Sequence, residues 1–299
     1  MNTVPEASLS RKVVERASSG QRTKDLMFRL LLLFSISLGF VVLAALVLDV
    51  IIDGGSRLSL DFITSFPSRI SPENTGVQSA LLGTIYLMVL CAVFIVPVGV
   101  ATAVYLEEYA NRDSLLSRTI EVNIQNLAAV PSVVYGILGL AFIVRGLSLG
   151  PVLLAGALTL GLLVLPVVII VSREAIRAVP SSIREGSLAL GATQWQTIWK
   201  QVLPGALPGI ATGVILALSR AIGETAPLLV IGAATFARFN PEGITDRFTA
   251  MPLAIFEFIS DPDTEFRAAG AAAILVLLAL LVAMNAGAIF LRNRYERKW

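Results

Sequence analysis

Long apolar segments alternate with short polar ones along this chain of 299 residues. An α-helix needs roughly 20 apolar residues to cross the hydrocarbon core of a bilayer, so runs of that length indicate membrane spans. Six segments meet this requirement, and the pattern therefore predicts an all-α integral membrane protein with six transmembrane helices. The predicted spans are Leu26–Ile52, Gln78–Leu106, Ile120–Val144, Leu149–Val171, Pro208–Ala233 and Ala268–Leu291.

The distribution of basic residues predicts how the spans are oriented. With an even number of spans, both termini lie on the same side as the polar loop that begins at Pro180. Lys and Arg are enriched in cytoplasmic loops, so the richer side is expected to face the cytoplasm. Both termini are therefore predicted to be cytoplasmic. The tail at Met1–Asp25 is rich in Ser and in charged residues and is predicted to be disordered. Of the 23 Lys and Arg residues, the opposite side holds Arg57, Arg69, Arg145, Arg238, Arg247 and Arg267.

The composition supports a membrane protein and excludes several kinds of chemistry. Hydrophobic residues make up 56% of the chain and charged residues 15%, which is too apolar for a soluble domain of this length. The net charge of +2, without a dense basic block, indicates no nucleic-acid partner. The chain has no histidine and a single cysteine, Cys91, within an apolar run, so imidazole metal sites and histidine acid–base chemistry are excluded. It also lacks the Gly-Lys pair of a P-loop, so we expect no ATPase activity of its own.

The polar loop between the fourth and fifth spans predicts two short helices joined at Gly191. Ser182 with Glu185, and Thr193 with Gln196, each have the spacing of a capping box. Gly191 stands where a left-handed residue would end the first helix. Such a loop can transmit force to a soluble partner. It can equally lie on the lipid surface as a pair of amphipathic helices. The apolar residues that would serve the second role are Leu188, Leu190, Trp195, Ile198 and Trp199.

The fifth span carries a charged pair that a simple membrane anchor would avoid. Arg220 lies roughly 18 Å along the helix from Pro208, near mid-membrane, where an arginine is costly unless it has a function. Glu224 follows one turn later, within ion-pairing reach. Small residues on the same stripe predict that the pair faces protein or a water-filled cavity, and Pro227 predicts a helix break just outward of Glu224. The alternative is an ion pair that only joins two subunits.

The third span shows a similar stripe, polar at its cytoplasmic end and small further out, with Pro131 beside it. Such a stripe lines a path or seats another helix, and the sequence leaves both readings open. Its members are Glu121, Gln125, Ala128, Ser132, Tyr135, Gly136 and Gly139. Arg173, at the cytoplasmic end of the fourth span, is either part of the path or only a positive-inside anchor.

The polar loop resembles the cytoplasmic coupling loop of ABC importer permeases. That signature is Glu-Ala-Ala, a glycine further on, and then Ile-x-Leu-Pro. Glu185, Gly191, Leu203 and Pro204 match it at the expected spacings. Gly186 and Ser187 replace the two alanines, and Gln201 replaces the isoleucine. The resemblance implies that residues 180–204, called the coupling loop below, contact an ATPase. The residues assigned to this contact are Glu185, Gly186, Ser187, Gly191, Leu203 and Pro204.

Further motifs resemble the Pst-type phosphate importers, and the A permease subunit more than the C subunit. They are VYLEEYA, NLAAVPSVVYGILG, SRAIGETAPLL and MNAGAIFLRNRYERK, and the resemblance runs from about Val77 to the C-terminus. It implies a type I ABC importer permease fold over residues 77–291, preceded by a first span and outer loop at 26–76 and followed by a cytoplasmic tail at 292–299. Arg220 takes the position of the family's mid-membrane arginine. The implied substrate path consists of Arg220, Glu224, Gln125, Ser132, Tyr135 and Arg173.

The resemblance also implies the partners. A second phosphate permease of the C type would complete a heterodimeric pore, two copies of an ATPase would bind the coupling loops, and an extracytoplasmic binding protein would deliver phosphate. This chain would bind no cofactor, because ATP and Mg belong to the ATPase. Alternatives are a permease for another oxyanion, such as sulfate or molybdate, and a secondary transporter. The latter would need an ion-coupling site, and we see neither a second mid-membrane carboxylate nor an obvious repeat.

The charged pair suggests a hypothesis about selectivity. Phosphate near neutral pH keeps a protonated oxygen, whereas sulfate has none. Arg220 can offset the desolvation of the anion through a forked contact. Glu224 can accept a hydrogen bond from the protonated oxygen and repel a fully ionised oxyanion. The alternative is that the binding protein does all of the selecting.

Overall fold

The computed structural model describes residues 19–111 and 114–295, and the regular structure of this part of the chain is helical. The terminal residues 1–18 and 296–299, on which much of both predicted tails falls, lie outside the described residues, as does Arg112. The helices are α1 Ser19–Gly54, α2 Leu60–Thr64, α3 Gln78–Val104, α4 Leu115–Ala128, α5 Ser132–Leu138, α6 Leu153–Arg177, α7 Ser181–Ala189, α8 Gln194–Thr197, α9 Leu203–Ala221, α10 Ala226–Val230, α11 Met251–Ser260 and α12 Thr264–Tyr295.

Wider π-helical turns extend three of these helices. They follow α3 at Tyr105–Tyr109, α5 at Gly139–Gly146 and α8 at Ile198–Val202. The chain divides into two units, residues 1–49 and residues 50–299. The first unit contains most of α1, which begins at Ser19, seven residues before the predicted span. Within the described residues, five helices are long and apolar enough to cross a membrane, and the bent pair α4 and α5 makes up to six.

The core of the second unit is formed by α3, α6 and α9. Leu87, Cys91, Leu160 and Val164 lie in its largest cluster of buried apolar side chains. Glycines let these helices approach closely, as small residues do in membrane bundles. A Cβ atom at Gly213 of α9 would lie 2.1 Å from Val171 Cγ1 of α6. The small residues of the fifth span thus pack against the fourth span.

The third predicted span, Ile120–Val144, is a bent pair of helices and not one continuous helix. The helices α4 and α5 meet at an angle of 105°. Pro131 occupies the N-cap position of α5 and disfavours helical backbone in the residue before it, so α4 ends at Ala128. The predicted stripe from Glu121 to Gly139 is therefore divided between two helices that point in different directions.

The fifth span is broken at a different place from the one predicted. Residues 194–221 form one long helical stretch, and α10 begins only at Ala226. Pro227 lies in the first turn of α10, where proline is tolerated, so the break falls upstream of it. The break spans residues 222–225 and contains Glu224, whereas the sequence predicted it just outward of that residue.

The outer loop before α11 is held against α3 by hydrogen bonds. Ser79 Oγ donates to the carbonyl oxygen of Ala237 at 2.7 Å. Thr84 Oγ1 accepts from the backbone N–H of Met251 at 2.8 Å, which satisfies one free N–H at the start of α11. Gly83 allows the same approach, because a Cβ there would lie 2.1 Å from the backbone oxygen of Thr249.

This close approach predicts that Gly83→Ala destabilises the protein. The added methyl collides with backbone and not with a flexible side chain, so we expect a loss of about 1–3 kcal/mol in the free energy of unfolding, as for other overpacked sites. Gly287→Ala in α12 is the matched control, since a Cβ there meets no atom within 4 Å. Unfolding of both variants in detergent checks the prediction. Equal stability of the two variants contradicts it.

Candidate functional site

Arg220 and Glu224 form an ion pair across the end of α9. The distance from Arg220 Nε to Glu224 Oε1 is 3.6 Å. This confirms that the two residues pair, although Glu224 lies in the break after α9 and not on the same helix. Non-helical backbone at membrane depth is tolerated where it is buried in protein or lines a water-filled cavity. The pair therefore lies where the backbone of the fifth span departs from a helix.

The guanidinium of Arg220 keeps an open side. Its side chain is 54% exposed and that of Glu224 is 18% exposed. The small residues Gly209 and Gly213 of its stripe contact Ala175 and Val171 of α6, and that the pair faces protein or a water-filled cavity stays a prediction. Among the described residues, Glu224 is the one ion-pair partner of Arg220. A forked guanidinium with spare donors can bind an anion.

The helix α5 packs against α10, which begins directly after the break. A Cβ at Gly136 would lie 2.9 Å from Pro227 Cα, so α5 and α10 are in close contact. Tyr135 is buried in the same cluster as Ala221 and Ile222, and its hydroxyl donates to the carbonyl oxygen of Leu127 at 2.9 Å. The small outer part of the predicted stripe thus seats a neighbouring helix.

The structure separates Arg173 from Arg220. The contacts of Gly209 with Ala175 and of Gly213 with Val171 align α6 and α9 in opposite directions. Arg173 is therefore level with residue 211, nine residues or roughly 14 Å along α9 from Arg220. Of the other predicted path residues, Ser132 is half-buried at the start of α5, and Gln125 is exposed on α4.

Arg173 belongs to a buried ion-pair network at the end of α3. Its Nε lies 3.4 Å from Glu107 Oε2 and its Nη1 lies 3.2 Å from Glu121 Oε1. Arg177, one turn later on α6, donates to both carboxylate oxygens of Glu107, at 3.0 and 3.2 Å. The side chain of Glu107 is 1% exposed. A carboxylate this deeply buried requires such partners, and the network joins the ends of α3 and α6 to the middle of α4.

Glu108 extends these contacts to the coupling loop. Its Oε1 accepts from Nε and Nη2 of Arg184 in α7, at 3.0 and 2.8 Å. Glu107, Glu108 and Arg184 are not among the site residues predicted from the sequence. A signal was present, because two adjacent carboxylates end an apolar span, and Arg173 and Arg177 stand one helical turn apart. Nothing in the sequence says that these elements meet.

The coupling loop has the helix–glycine–helix form that the sequence predicts. Gly191 has φ of +84°, and Thr193 forms the predicted capping box with Gln196. The capping box at Ser182 is wrong. Pro180 takes the N-cap position, and its fixed φ starts α7 directly afterwards, so Ser182 lies inside the helix.

The exposed face of the coupling loop is partly apolar. The rings of Trp195 and Trp199 stack with centroids 5.7 Å apart, and each residue is about 60% exposed. Glu185, Gly186 and Gly191 are exposed, whereas Ser187 exchanges a hydrogen bond of 2.8 Å with Thr197. Leu203 and Pro204 are half-buried. An open groove of about 460 Å³ separates α7 from the following helix, with Ser182, Gly186, Ser187, Leu190, Gln196 and Lys200 along it.

Solved ABC importers have the same fold. The chain superposes on a bacterial alginate ABC transporter with a TM-score of 0.68 and 15% sequence identity, covering 92% of this chain and 97% of that one. It superposes on the MetNI methionine ABC transporter with a TM-score of 0.56 and 20% identity, covering 74% and 95%. The expected type I ABC importer permease fold is therefore confirmed, and the protein is a multi-pass membrane protein.

The sequence comparisons identify the family. Residues 95–297 match the model of the binding-protein-dependent transport system inner membrane components, and the chain belongs to this family. It is 36% identical to "Phosphate transport system permease protein PstA 1" of Mycobacterium tuberculosis strain H37Rv, over 74% of this chain and 72% of that protein. It is 32% identical to "Probable ABC transporter permease protein YqgI" of Bacillus subtilis, over 80% and 86%. Identity to PstA of Yersinia pestis is 27%, over 92% of each chain.

The burial of Glu107 predicts that Glu107→Gln is strongly destabilising. The substitution removes the charge that Glu107 presents to Arg173, whose side chain is 11% exposed, and breaking a buried pair costs about 3–5 kcal/mol of the free energy of unfolding. Urea unfolding of the purified protein in mixed micelles measures the loss. Glu174→Gln is the matched control, because Glu174 is 65% exposed and pairs with Arg177 of its own helix. A loss no larger than that of the control contradicts the prediction.

Proposed function

We propose that this chain is a pore-forming permease subunit of an ATP-driven importer of inorganic phosphate. The observation that carries the proposal is the exposed Arg220 at the helix break, in a chain whose relatives include phosphate transport system permeases. A guanidinium offers five donors in a planar fork, which matches the oxygens of a tetrahedral oxyanion. The family's dependence on a binding protein favours this function over that of a secondary transporter.

The open side of Arg220 supports a pore shared with a second chain. In a membrane, an exposed guanidinium next to apolar surface is costly unless a partner or water covers it. Leu216, one turn before Arg220, is 65% exposed, so this face of α9 is available to another subunit. We propose that a second phosphate permease closes the path on that face. Tyr135 and Ser132 would support the path from α5.

ATP hydrolysis is assigned to partner subunits. Two copies of an ATPase, each with its ATP and Mg, would dock on the coupling loops of the two permeases. The exposed Glu185, the groove beside Gly186 and Ser187, and the stacked tryptophans offer a mixed polar and apolar surface for that contact. An extracytoplasmic binding protein would deliver phosphate to the outer loops. Movement of the coupling loop would then open the Arg220 region alternately to each side.

The proposal predicts that Arg220→Gln strongly lowers phosphate uptake. Loss of the charge removes the offset to anion desolvation, and we expect phosphate uptake to fall by about 100-fold, equivalent to roughly 3 kcal/mol for a charged hydrogen-bonded contact. Arg220→Lys keeps the charge and loses the fork, so it should retain intermediate uptake. Labelled phosphate uptake by proteoliposomes of the assembled complex measures both. Arg118→Gln, on the exposed surface of α4, is the control, and equal uptake by it and Arg220→Gln contradicts the proposal.

Glu224→Gln tests whether this pore contributes to selectivity. The amide no longer repels a fully ionised oxyanion, so we expect the ratio of phosphate uptake to sulfate uptake to fall by about tenfold, the effect of a loss near 1.4 kcal/mol in discrimination. Uptake of both labelled anions by the same preparation gives the ratio. An unchanged ratio assigns selection to the binding protein. Uptake of sulfate in preference to phosphate by the wild-type complex contradicts the proposed substrate.

A further inference from the structure

The guanidinium of Arg184 joins three elements at the base of the coupling loop. Besides its two bonds to Glu108, it donates to the carbonyl oxygens of Val179 at 2.6 Å and Ile176 at 2.8 Å. Ile176 lies in the last turn of α6, where its carbonyl also accepts from the backbone N–H of Val179, and Val179 lies just after the helix. A single side chain of α7 is thus attached to the ends of both α3 and α6.

The second half of the coupling loop reaches the same residue. Gln194, at the start of α8, donates from Nε2 to the backbone oxygen of Glu108 at 2.6 Å. Glu108 therefore contacts the loop on both sides of Gly191, through its side chain to α7 and through its backbone to α8. A displacement of either half of the loop acts on the end of α3.

The bridge between Glu108 and Arg184 lies in a partly dehydrated place. The Glu108 side chain is 9% exposed and that of Arg184 is 22% exposed. Charge-assisted hydrogen bonds are shorter and stronger than neutral ones, and their strength rises where water is excluded. Loss of either partner leaves an uncompensated charge. The bridge is therefore a firm connection, unlike an exposed ion pair on a helix surface.

The adjacent residue makes the ends of α3 and α6 move together. Glu107 holds Arg173 and Arg177 of α6, so a force on Glu108 acts on both helices. The helix α9 needs no such bridge, because residues 194–221 form one helical stretch that starts within the coupling loop. Movement of the loop thus reaches α9 through the backbone and α6 through residues 178–180, which join it to α7, whereas it reaches α3 through side chains.

We propose that the Glu108–Arg184 bridge positions α3 relative to the coupling loop and transmits the displacement of the loop to this span. The proposal rests on the proposed function, in which an ATPase moves the loop. Glu108 and Arg184 are positioning residues, since they act through other groups and not on the transported anion. Without the bridge, the ATPase would still dock, and α6 and α9 would still respond through the backbone, but α3 would no longer follow α7.

The test compares transport with ATP hydrolysis in the complete complex. The permease is purified with its ATPase subunits, reconstituted with the binding protein, and assayed for phosphate taken up per ATP hydrolysed. Glu108→Gln and Arg184→Gln should each lower this ratio by about tenfold, the scale of a typical coupling free energy between sites, while hydrolysis continues. The double variant should be no worse than either single variant, because residues that act as a pair are not additive.

The control removes a nearby charge without touching the bridge. Glu174→Gln takes away an exposed carboxylate of α6 that pairs within its own helix, and the ratio should not change. An unchanged ratio in both single variants, or additive effects in the double variant, overturns the proposal. Loss of the ATPase subunits from both single variants also overturns it, because the residues would then belong to the docking surface.

Failure of the proposed substrate is recognised separately. If the wild-type complex takes up sulfate or molybdate and not phosphate, the proposed function is wrong in its substrate. The ratio of that anion to ATP then provides the same test of the bridge.

Discussion

The arrangement of the helices depends on the ion pairs of one buried carboxylate, that of Glu107. Glu107 is almost fully buried at the end of α3, and such a group is tolerated only with well-placed cationic partners. Arg173 and Arg177 supply them from α6, and Arg173 continues the contact to Glu121 of α4. The need to satisfy one buried charge therefore fixes the relative position of three elements at this end of the bundle.

The second charged site, at Arg220, differs from the Glu107 network because its charge is only partly paired and largely exposed. Arg220 has one carboxylate partner among the described residues and keeps more than half of its side chain exposed. It lies where the fifth span is interrupted, so the local backbone also departs from the membrane helix. A fully paired arginine such as Arg173 contributes rigidity, whereas a partly paired one retains donors for a ligand. The two arginines therefore differ in how many of their donors remain open to a ligand.

Local features of the site could be predicted from the sequence with little error. Gly191 adopts the left-handed conformation, and Thr193 forms its capping box, because both depend on residues within one turn. The errors arose at prolines. Pro131 divides the third span into two helices, and Pro180, not Ser182, takes the N-cap position of α7. Pro227 lies in the first turn of α10 and does not end α9. Proline disturbs the turn before it, and where the helix resumes depends on the packing of neighbouring helices.

The sequence alone determined the class of the protein, its apolar spans and the presence of a charged pair in the fifth span, because length, hydropathy and composition are properties of single segments. Only the tertiary structure decided that Arg173 pairs with Glu107 and lies far from Arg220, and that Glu108 pairs with Arg184 of the coupling loop. These contacts join residues about 70 positions apart, as the separations of 66 and 76 between the bonded residues show. Hydrophobic periodicity shows which side of a helix is buried, but the pairing of charges between helices depends on how the helices pack.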